Sequence, residues 1–305
     1  MKVSKSKLKM ATLNSERRLY ANLYVACQSR DGDLDNFFSH ENHSFPISLS
    51  EYGKLRKATS KSDFIQCLET NVEVKYDAPE VSMKVIDGAA FVNMNRLMTS
   101  DIYGNFCKNE LIHKLKLTSQ NVDRLDVVFD VYRERSLKSQ TRENRGEGIR
   151  ISLRKDTKIY KDFQKFMRND LNKTELFKMI SETAVEEIPE TETTVIATVG
   201  SGVLSNSNLN TLNIEPCNHE EADTRLLLHV LDGAKSGIKK ISIITVDTDV
   251  VVIAIQHFSV LDLEELWVEF GVGKSRKYIP IHDCARILDE GICNSLAFLA
   301  FTHWM

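Results

Sequence analysis

The sequence has little that would tie it to a membrane, a disulfide framework or a structural zinc site. Its six cysteines lie far apart, and none belongs to a CxxC pair or to a paired Cys/His spacing. The longest apolar stretch, Val250–Ile255, is far too short to span a bilayer. The basic N-terminus, MKVSKSKLKM, lacks the apolar run of a signal peptide. We therefore expect a soluble intracellular protein, in the nucleus or the cytoplasm, with reduced thiols and no membrane partner.

An excess of charge of one sign is also missing. The net charge of −3 gives no overall attraction to nucleic acid, so any basic footprint has to be local. The content of 42% hydrophobic and 27% charged residues is that of a globular protein. A chain of 305 residues can bury one large core or two ordinary ones.

The most informative stretch is Ile241–Phe258, ISIITVDTDVVVIAIQHF. Five of its first six residues are β-branched or apolar, which predicts a strand buried on both faces. Asp247 and Asp249 follow directly, at the carboxyl end of that strand, where ligands bind in open α/β sheets. Two buried carboxylates repel each other, and a divalent cation with oxygen ligands would relieve the repulsion. The structural alternative is that Asp247 caps a helix and Asp249 is a solvated residue of its first turn.

Two further apolar runs end in an aspartate. VSMKVIDG places Asp87 at the end of a short strand, and LDVVFDV places Asp130 at the end of another. A single such aspartate is usually a turn residue or a helix cap. Parallel neighbouring strands would bring all three ends to one edge of the sheet, which capping alone explains poorly. The predicted fold is α/β, a mostly parallel central sheet with helices on both faces.

The segment Asn218–Gly233, NHEEADTRLLLHVLDG, predicts a helix capped by Asn218. Glu221 and Asp223 stand in its first turn, where the helix dipole favours acids whether or not they bind a ligand. A right-handed crossover into the next strand would set this N-terminus near the same sheet edge. The strand Thr194–Val199, followed by Gly200-Ser201-Gly202, partly matches a dinucleotide-binding turn, but no helix follows it.

A basic insertion is predicted at about 133–180. It combines cations with the aromatic residues Tyr160, Phe163 and Phe166, a composition that suits a phosphate backbone and splayed bases. A solvated charged face is the alternative. The candidate nucleic-acid contacts are Arg133, Arg135, Arg142 and Arg150.

In order along the chain, these motifs resemble the PIN-like nucleases, most closely the flap-endonuclease branch, and a related group of multicopy animal proteins. The likeness lies in VIDG, VVFD, LKSQTRENR, EEAD and DTD, within about residues 81–302. It implies hydrolysis of DNA or RNA phosphodiesters with Mg²⁺ or Mn²⁺, and Lys138 and Arg145 contacting the reacting phosphate. The implied metal ligands are Asp87, Asp130, Glu221, Asp223, Asp247 and Asp249. The resemblance also implies a PIN-like domain at 81–305 after an N-terminal extension at 1–80.

The chain departs from the family pattern in three places. EAD replaces EAE, Val131 rather than glycine follows Asp130, and FTHWM stands where the family has a further metal-binding aspartate. We therefore expect a C-terminally truncated, weak or inactive nuclease, or a non-catalytic module of the same shape that binds nucleic acid or protein. Loss of the elements that follow would expose apolar residues to a protein partner, namely Leu296, Leu299, Phe301 and Trp304.

Overall fold

The chain forms two units, and the predicted sheet lies in the larger one. The computed structural model describes residues 5–29, 35, 39, 50–51, 54–55, 62–95, 99–132 and 148–296. The first unit comprises residues 1–60 and 302–305, and the second comprises 61–301. In the first unit, helix α1 (Lys5–Ser29) precedes two short antiparallel strands, β1 (Ser50–Glu51) and β2 (Lys54–Leu55). Among the described residues, no helix combines the length and apolar character needed to cross a membrane.

The larger unit contains a seven-stranded mixed sheet. In chain order its strands are β3 (Met83–Asp87), β4 (Arg124–Val128), β5 (Thr194–Val199), β6 (Gly202–Ser205), β7 (Lys240–Thr245), β8 (Glu265–Phe270) and β9 (Lys277–Pro280). Their spatial order is β6-β5-β4-β3-β7-β8-β9. The five central strands are parallel, and β6 and β9 pair antiparallel at the two edges. The predicted α/β fold with a mostly parallel sheet is confirmed.

Helices connect the strands and cover the sheet. They are α2 (Ser62–Glu69), α3 (Gly88–Met94), α4 (Tyr103–Asn105), a π-helical segment (Phe106–Ile112), α5 (His113–Thr118), α6 (Phe163–Met167), α7 (Asp170–Glu187), α8 (Ala222–Lys235), α9 (Thr248–His257) and α10 (Ile281–Ile287). Two 3₁₀ turns, Phe258–Val260 and Gly273–Ser275, lie on either side of β8.

Adjacent residues of the central strands face two different cores. Val85 of β3 packs with α2, α8 and α9, whereas its neighbour Ile86 packs with α3, the π-helical segment and α7. Both side chains are fully buried. Because helices cover both faces of the sheet, apolar side chains are favoured on both faces of each central strand. This preference explains the nearly continuous apolar runs in the sequence.

The larger unit begins earlier than the predicted boundary at residue 80. Ile65 and Leu68 of α2 are buried in the first core, and Lys75 forms a β-bridge with Tyr278 of β9. Helix α2 is therefore part of the α/β unit rather than of an N-terminal extension, because its apolar face covers one side of the sheet.

The described part of the predicted basic insertion also belongs to the core. Phe166 is fully buried, its ring lies 4.9 Å from that of Tyr103, and Phe163 stacks on it at 5.7 Å. Tyr160 packs partly buried against the same core. Phe166 is thus not available to stack on a splayed base, as the basic and aromatic composition had suggested, because its ring is enclosed by Tyr103 and Phe163.

Charged residues, not apolar ones, join β4 to α8. Arg124 donates two hydrogen bonds to Asp126, at 2.8 and 2.7 Å, and a third to Asp232 at 2.8 Å. His229 Nδ1 lies 2.6 Å from Asp126, and all four side chains are buried. Burial alone would raise the pKa of Asp126, but hydrogen bonds from Arg124 and His229 hold it below its ordinary value. The network fixes α8 on the sheet.

We predict that Asp126→Asn lowers the free energy of unfolding by about 3–5 kcal/mol, because it leaves the buried Arg124 without its main counter-charge. Urea denaturation monitored by circular dichroism measures the loss. The control is Asp283→Asn, which breaks an exposed pair with Arg286 at 3.0 Å and should change stability by less than about 1 kcal/mol. Equal effects of the two variants would contradict the assigned role of the network.

Candidate metal centre

The centre lies where the direction of the strand order reverses. From β3 the chain moves outward through β4 to β5, and then returns to the other side of β3 with β7 and β8. The carboxyl ends of β3 and β7 therefore flank the crevice in which ligands bind in open α/β sheets. Asp87 is the last residue of β3, and Asp247 follows β7 by two residues.

Asp87 is held on both carboxylate oxygens. Its Oδ1 accepts a hydrogen bond from the Ala90 amide at 2.9 Å, and its Oδ2 accepts one from Thr245 Oγ1 at 3.0 Å. The side chain caps α3 and is 7% exposed. Burial, opposed by these hydrogen bonds and reinforced by the charges of Asp130 and Asp247, raises the pKa of Asp87 to about 6.

Asp130 connects the end of β4 to the start of α8. Its Oδ1 accepts a hydrogen bond from the Ala222 amide at 2.8 Å, and the neighbouring Val131 amide donates to Glu220 O at 2.8 Å. The strand ends at Val128, so Asp130 stands two residues beyond it rather than at its last position.

Helix α8 begins at Ala222, and its N-cap residue is Glu221, three residues later than the predicted Asn218. Two tertiary hydrogen bonds explain the shift. The Cys217 amide donates to Ser201 O at 2.7 Å, and the Ala222 amide donates to Asp130. These bonds hold the preceding segment outside the helix. Asp223 consequently lies in the first helical turn, at the sheet edge.

Three carboxylates meet at this edge. Asp223, Asp247 and Asp249 each offer an oxygen, and these three atoms lie within 4.8 Å of one another. All three side chains are half-buried. Asp247 also caps α9, because its Oδ1 accepts a hydrogen bond from the Asp249 amide at 2.9 Å. The capping alternative is thus correct for Asp247, but capping does not require carboxylates from two different helices to come together.

The neighbouring acids oppose the ionisation of Asp223. Burial raises the pKa of Asp223 to about 7, and the charges of Asp247, Asp87, Asp130 and Asp249 add to the shift in that order. The N-termini of α3, α8 and α9 supply partial positive charge at the same edge. A divalent cation with oxygen ligands fits this donor set, because carboxylate oxygens are the ligands that Mg²⁺ and Mn²⁺ prefer.

A glycine sets the spacing between the ends of β3 and β4. A Cβ atom on Gly88, the residue after Asp87, would lie 2.3 Å from the ring of Phe129, the residue before Asp130. That ring stacks on Phe177 at 4.4 Å and cannot move away. The absence of a side chain at position 88 therefore allows the two aspartates to approach each other.

The remaining predicted residues are distributed differently. Glu221 stands next to the cluster, as the N-cap residue of α8. Arg150 lies on the described surface, where it pairs with Glu175 and donates to Asn172 Oδ1 at 3.0 Å. Several predicted residues lie outside the part of the chain that the structure describes: Arg133, Arg135, Lys138, Arg142, Arg145, Leu299, Phe301 and Trp304. Leu296 is buried, not exposed.

Sequence reasoning missed Thr245, which holds Asp87 from the neighbouring strand. A hydroxyl at the end of an otherwise apolar run, two residues before an acid, was the available signal.

The glycine pair 200 and 202 does not form a dinucleotide-binding turn. Gly200 has φ +56° and closes an antiparallel hairpin between β5 and β6, whereas a dinucleotide turn leads from a strand into a helix. The buried Arg225 of α8 donates to the carbonyl oxygens of Gly200 and Gly202, at 2.6 and 3.0 Å.

Comparisons with protein-family models, with curated proteins and with solved structures find no match to the chain. The resemblance to PIN-like nucleases therefore stays a prediction, and the functional conclusion depends on the geometry of the acidic edge.

We predict that millimolar Mn²⁺ or Mg²⁺ raises the melting temperature. A cation at 100 times its Kd stabilises the folded state by about 2.7 kcal/mol, which corresponds to roughly 4–5 °C for a chain of this size. Asp223→Asn should abolish the shift. The control, Asp123→Asn, removes an exposed carboxylate at the opposite end of β4 and should leave the shift intact. Melting curves recorded with and without cation measure the shift. A melting temperature of the parent chain that does not change on adding cation would contradict the metal site.

We also predict an unusual pH dependence without cation. Asp87 and Asp223 have folded-state pKa values raised from 3.8 to about 6 and about 7. Their protons stabilise the folded state fully below the ordinary pKa, and this contribution is lost as the pH rises through the folded values. Asp223→Asn should therefore be more stable than the parent near pH 8 and nearly equal to it near pH 4. Urea unfolding in EDTA measures the difference, and a difference that does not change with pH would contradict the raised pKa of Asp223.

Proposed function

We propose that the chain is a divalent-cation-dependent phosphodiesterase that acts on nucleic acid. The observation that carries the proposal is the meeting of Asp223, Asp247 and Asp249 within 4.8 Å, at the reversal point of a parallel sheet. Asp87 and Asp130 lie close enough for their charges to raise the pKa of Asp223. A site made of carboxylates suits cation-assisted hydrolysis, because the protein then has only to position the cation and the phosphate.

The residues have separate tasks in this proposal. Asp223, Asp247 and Asp249 would bind Mg²⁺ or Mn²⁺ directly. Asp130 and Asp87 would hold the N-termini of α8 and α3, since both already accept backbone hydrogen bonds there. When bound, a divalent cation in such a site lowers the pKa of water and neutralises the charge that develops on phosphate oxygens.

The choice of a nucleic-acid phosphodiester as substrate comes from the sequence. The ordered acids, with LKSQTRENR between the second and third acidic motifs, resemble the flap-endonuclease branch. Lys138 and Arg145 would contact the phosphate, and Arg133, Arg135 and Arg142 would bind the neighbouring backbone. Arg150 pairs with Glu175, so its contribution to phosphate binding would require that pair to open.

A second candidate function is a non-catalytic module of the same shape that binds nucleic acid or protein. The observation in its favour is that Asp87, Asp130 and Asp247 all accept hydrogen bonds at helix N-termini. Such contacts stabilise helices without any chemistry. Asp223 distinguishes the two candidate functions. It is not the N-cap residue of its helix, and four other carboxylates oppose its ionisation.

We predict Mn²⁺-dependent cleavage of end-labelled single-stranded, hairpin or flap oligonucleotides. Asp223→Asn should lower the rate at least about 100-fold, the usual effect of removing one electrostatic group from an active site. Asp123→Asn is the matched control and should cleave like the parent. Binding of the same oligonucleotides without cleavage, by folded parent protein that responds to Mn²⁺ in a melting assay, would favour the non-catalytic module instead.

A further inference from the structure

Helix α1 exposes almost all of its surface. Of its described side chains only Glu16 and Leu23 are half-buried, and the others are exposed. Isolated helices are marginally stable in water, and most helices in proteins owe their stability to a packed face. A helix of 25 residues, about 38 Å long, therefore gains stability from any partner that covers one of its faces.

The charge of α1 contrasts with that of the rest of the chain. Five basic residues and one acidic residue give the helix a net charge of +4. The whole chain carries −3, so the remaining residues together carry −7. Lys7, Lys9, Arg17 and Arg18 are exposed, and none of these four is ion-paired with another described residue. Helix α1 therefore forms one local basic footprint on an otherwise acidic chain.

One face of α1 combines Arg17 with large exposed side chains. Met10, Leu13, Arg17, Tyr20 and Tyr24 are spaced by three or four residues, which places them along one side of a helix. Tyr20 is 70% exposed and Tyr24 is 61% exposed. Arg17 stands inside this row, four residues after Leu13 and three before Tyr20.

We propose that α1 binds single-stranded nucleic acid, through phosphates on its lysines and arginines and bases stacked on Tyr20 and Tyr24. Unpaired bases stack on tyrosine rings irrespective of their identity, and arginine contacts both phosphates and base faces. A strand laid along the row meets the Arg17 guanidinium next to the two tyrosine rings, with Lys9 on one flank of the row. The helix therefore offers contacts to phosphates and stacking surfaces for bases within reach of one strand.

A second copy of the chain fits α1 less well. The row has the spacing of a coiled-coil seam, but two copies would bring two helices of charge +4 together. The flanking positions offer no opposite charges that could compensate in a parallel pair. On one flank they are Lys9, Glu16 and Leu23, and on the other Asn14, Ala21 and Gln28.

A membrane surface fits less well for a different reason. Helices that lie in a bilayer interface separate a basic face from an apolar face. In α1, Arg17 interrupts the apolar row, and the basic residues are spread around the helix. The nucleic acid therefore remains the partner that the observations favour.

This inference extends the proposed function, since it supplies a second contact with nucleic acid on the other unit of the chain. It does not depend on cleavage, because α1 contains none of the aspartates of the candidate metal centre. An assay in EDTA separates the two proposals, and failure of the chain to cleave would leave the binding by α1 untouched.

The test is fluorescence anisotropy of a labelled oligothymidylate of about 20 nucleotides, longer than most single-module sites, with the full chain in EDTA. Each phosphate contact contributes about −0.7 to the slope of log K against log salt. Arg17→Ala/Arg18→Ala should reduce the steepness of the slope by about 1.4 and weaken binding about 25-fold at about 0.1 M salt. Lys235→Ala/Lys239→Ala is the matched control, with the same loss of charge at the end of α8 and in the turn before β7, and should bind like the parent.

A second pair of changes tests the stacking. Tyr20→Leu/Tyr24→Leu keeps the row apolar and should weaken oligothymidylate binding at least about tenfold, while binding of a duplex of equal length stays unchanged. Unaltered affinity and salt slope in the arginine variant, with helix content retained in circular dichroism, would overturn the proposal. Two other results would also overturn the proposal. The parent chain would sediment as a dimer that the tyrosine changes dissociate, or it would bind phosphatidylserine vesicles more tightly than the oligonucleotide.

Discussion

The larger unit depends on keeping like charges together at one edge of a sheet. Five aspartates gather where β3, β4 and β7 end, although burial and mutual repulsion both oppose their ionisation. Among the described residues, backbone amides hold three of them. The amides of Ala90, Ala222 and Asp249 donate to Asp87, Asp130 and Asp247, and three helices direct their positive ends to the same place. The fold thus provides a site whose electrostatic balance a cation would complete.

The position of Asp223 depends on contacts far from the cluster. It is carried by α8, and α8 is located by the buried pairs that Arg124 and Asp126 of β4 make with Asp232 and His229. An apolar interface of similar volume would tolerate small shifts of the helix along the strand. Paired charges do not, because a shift would break hydrogen bonds that have no substitute in the core. A polar interface within the core therefore gives the acidic edge its precision.

Much of the fold could be predicted from the sequence because the signals were local. The runs MKVID and ISIIT place apolar residues on both faces of a strand, which indicates strands covered on both sides, and the rule for carboxyl ends then placed Asp87 and Asp247 at one edge. The start of α8 could not be predicted in this way. Asn218, Glu220 and Glu221 are all acceptable near a helix N-terminus, and the choice was made by Asp130, a residue distant in sequence.

The buried charges were the other feature that local patterns could not reveal. Asp126 stands within an apolar run, and its partner His229 lies on a different element more than 100 residues later. A signal did exist, since positions 225, 229 and 232 place an arginine, a histidine and an aspartate along one side of α8. Periodicity alone could not show that this side faces the sheet, because it takes charged side chains as a mark of the solvated face.

Gly88 shows how narrow the tolerance of the acidic edge is. The Phe129 ring occupies the space that a side chain at position 88 would fill, and Phe177 stacks on that ring. Any side chain at position 88 would overlap the Phe129 ring. Glycine at this position therefore determines how closely the two chain segments approach each other. A Cβ atom at position 88 would displace the Phe129 ring and shift the neighbouring residues Asp87 and Asp130. The absence of this one atom therefore determines the separation of the two carboxylates.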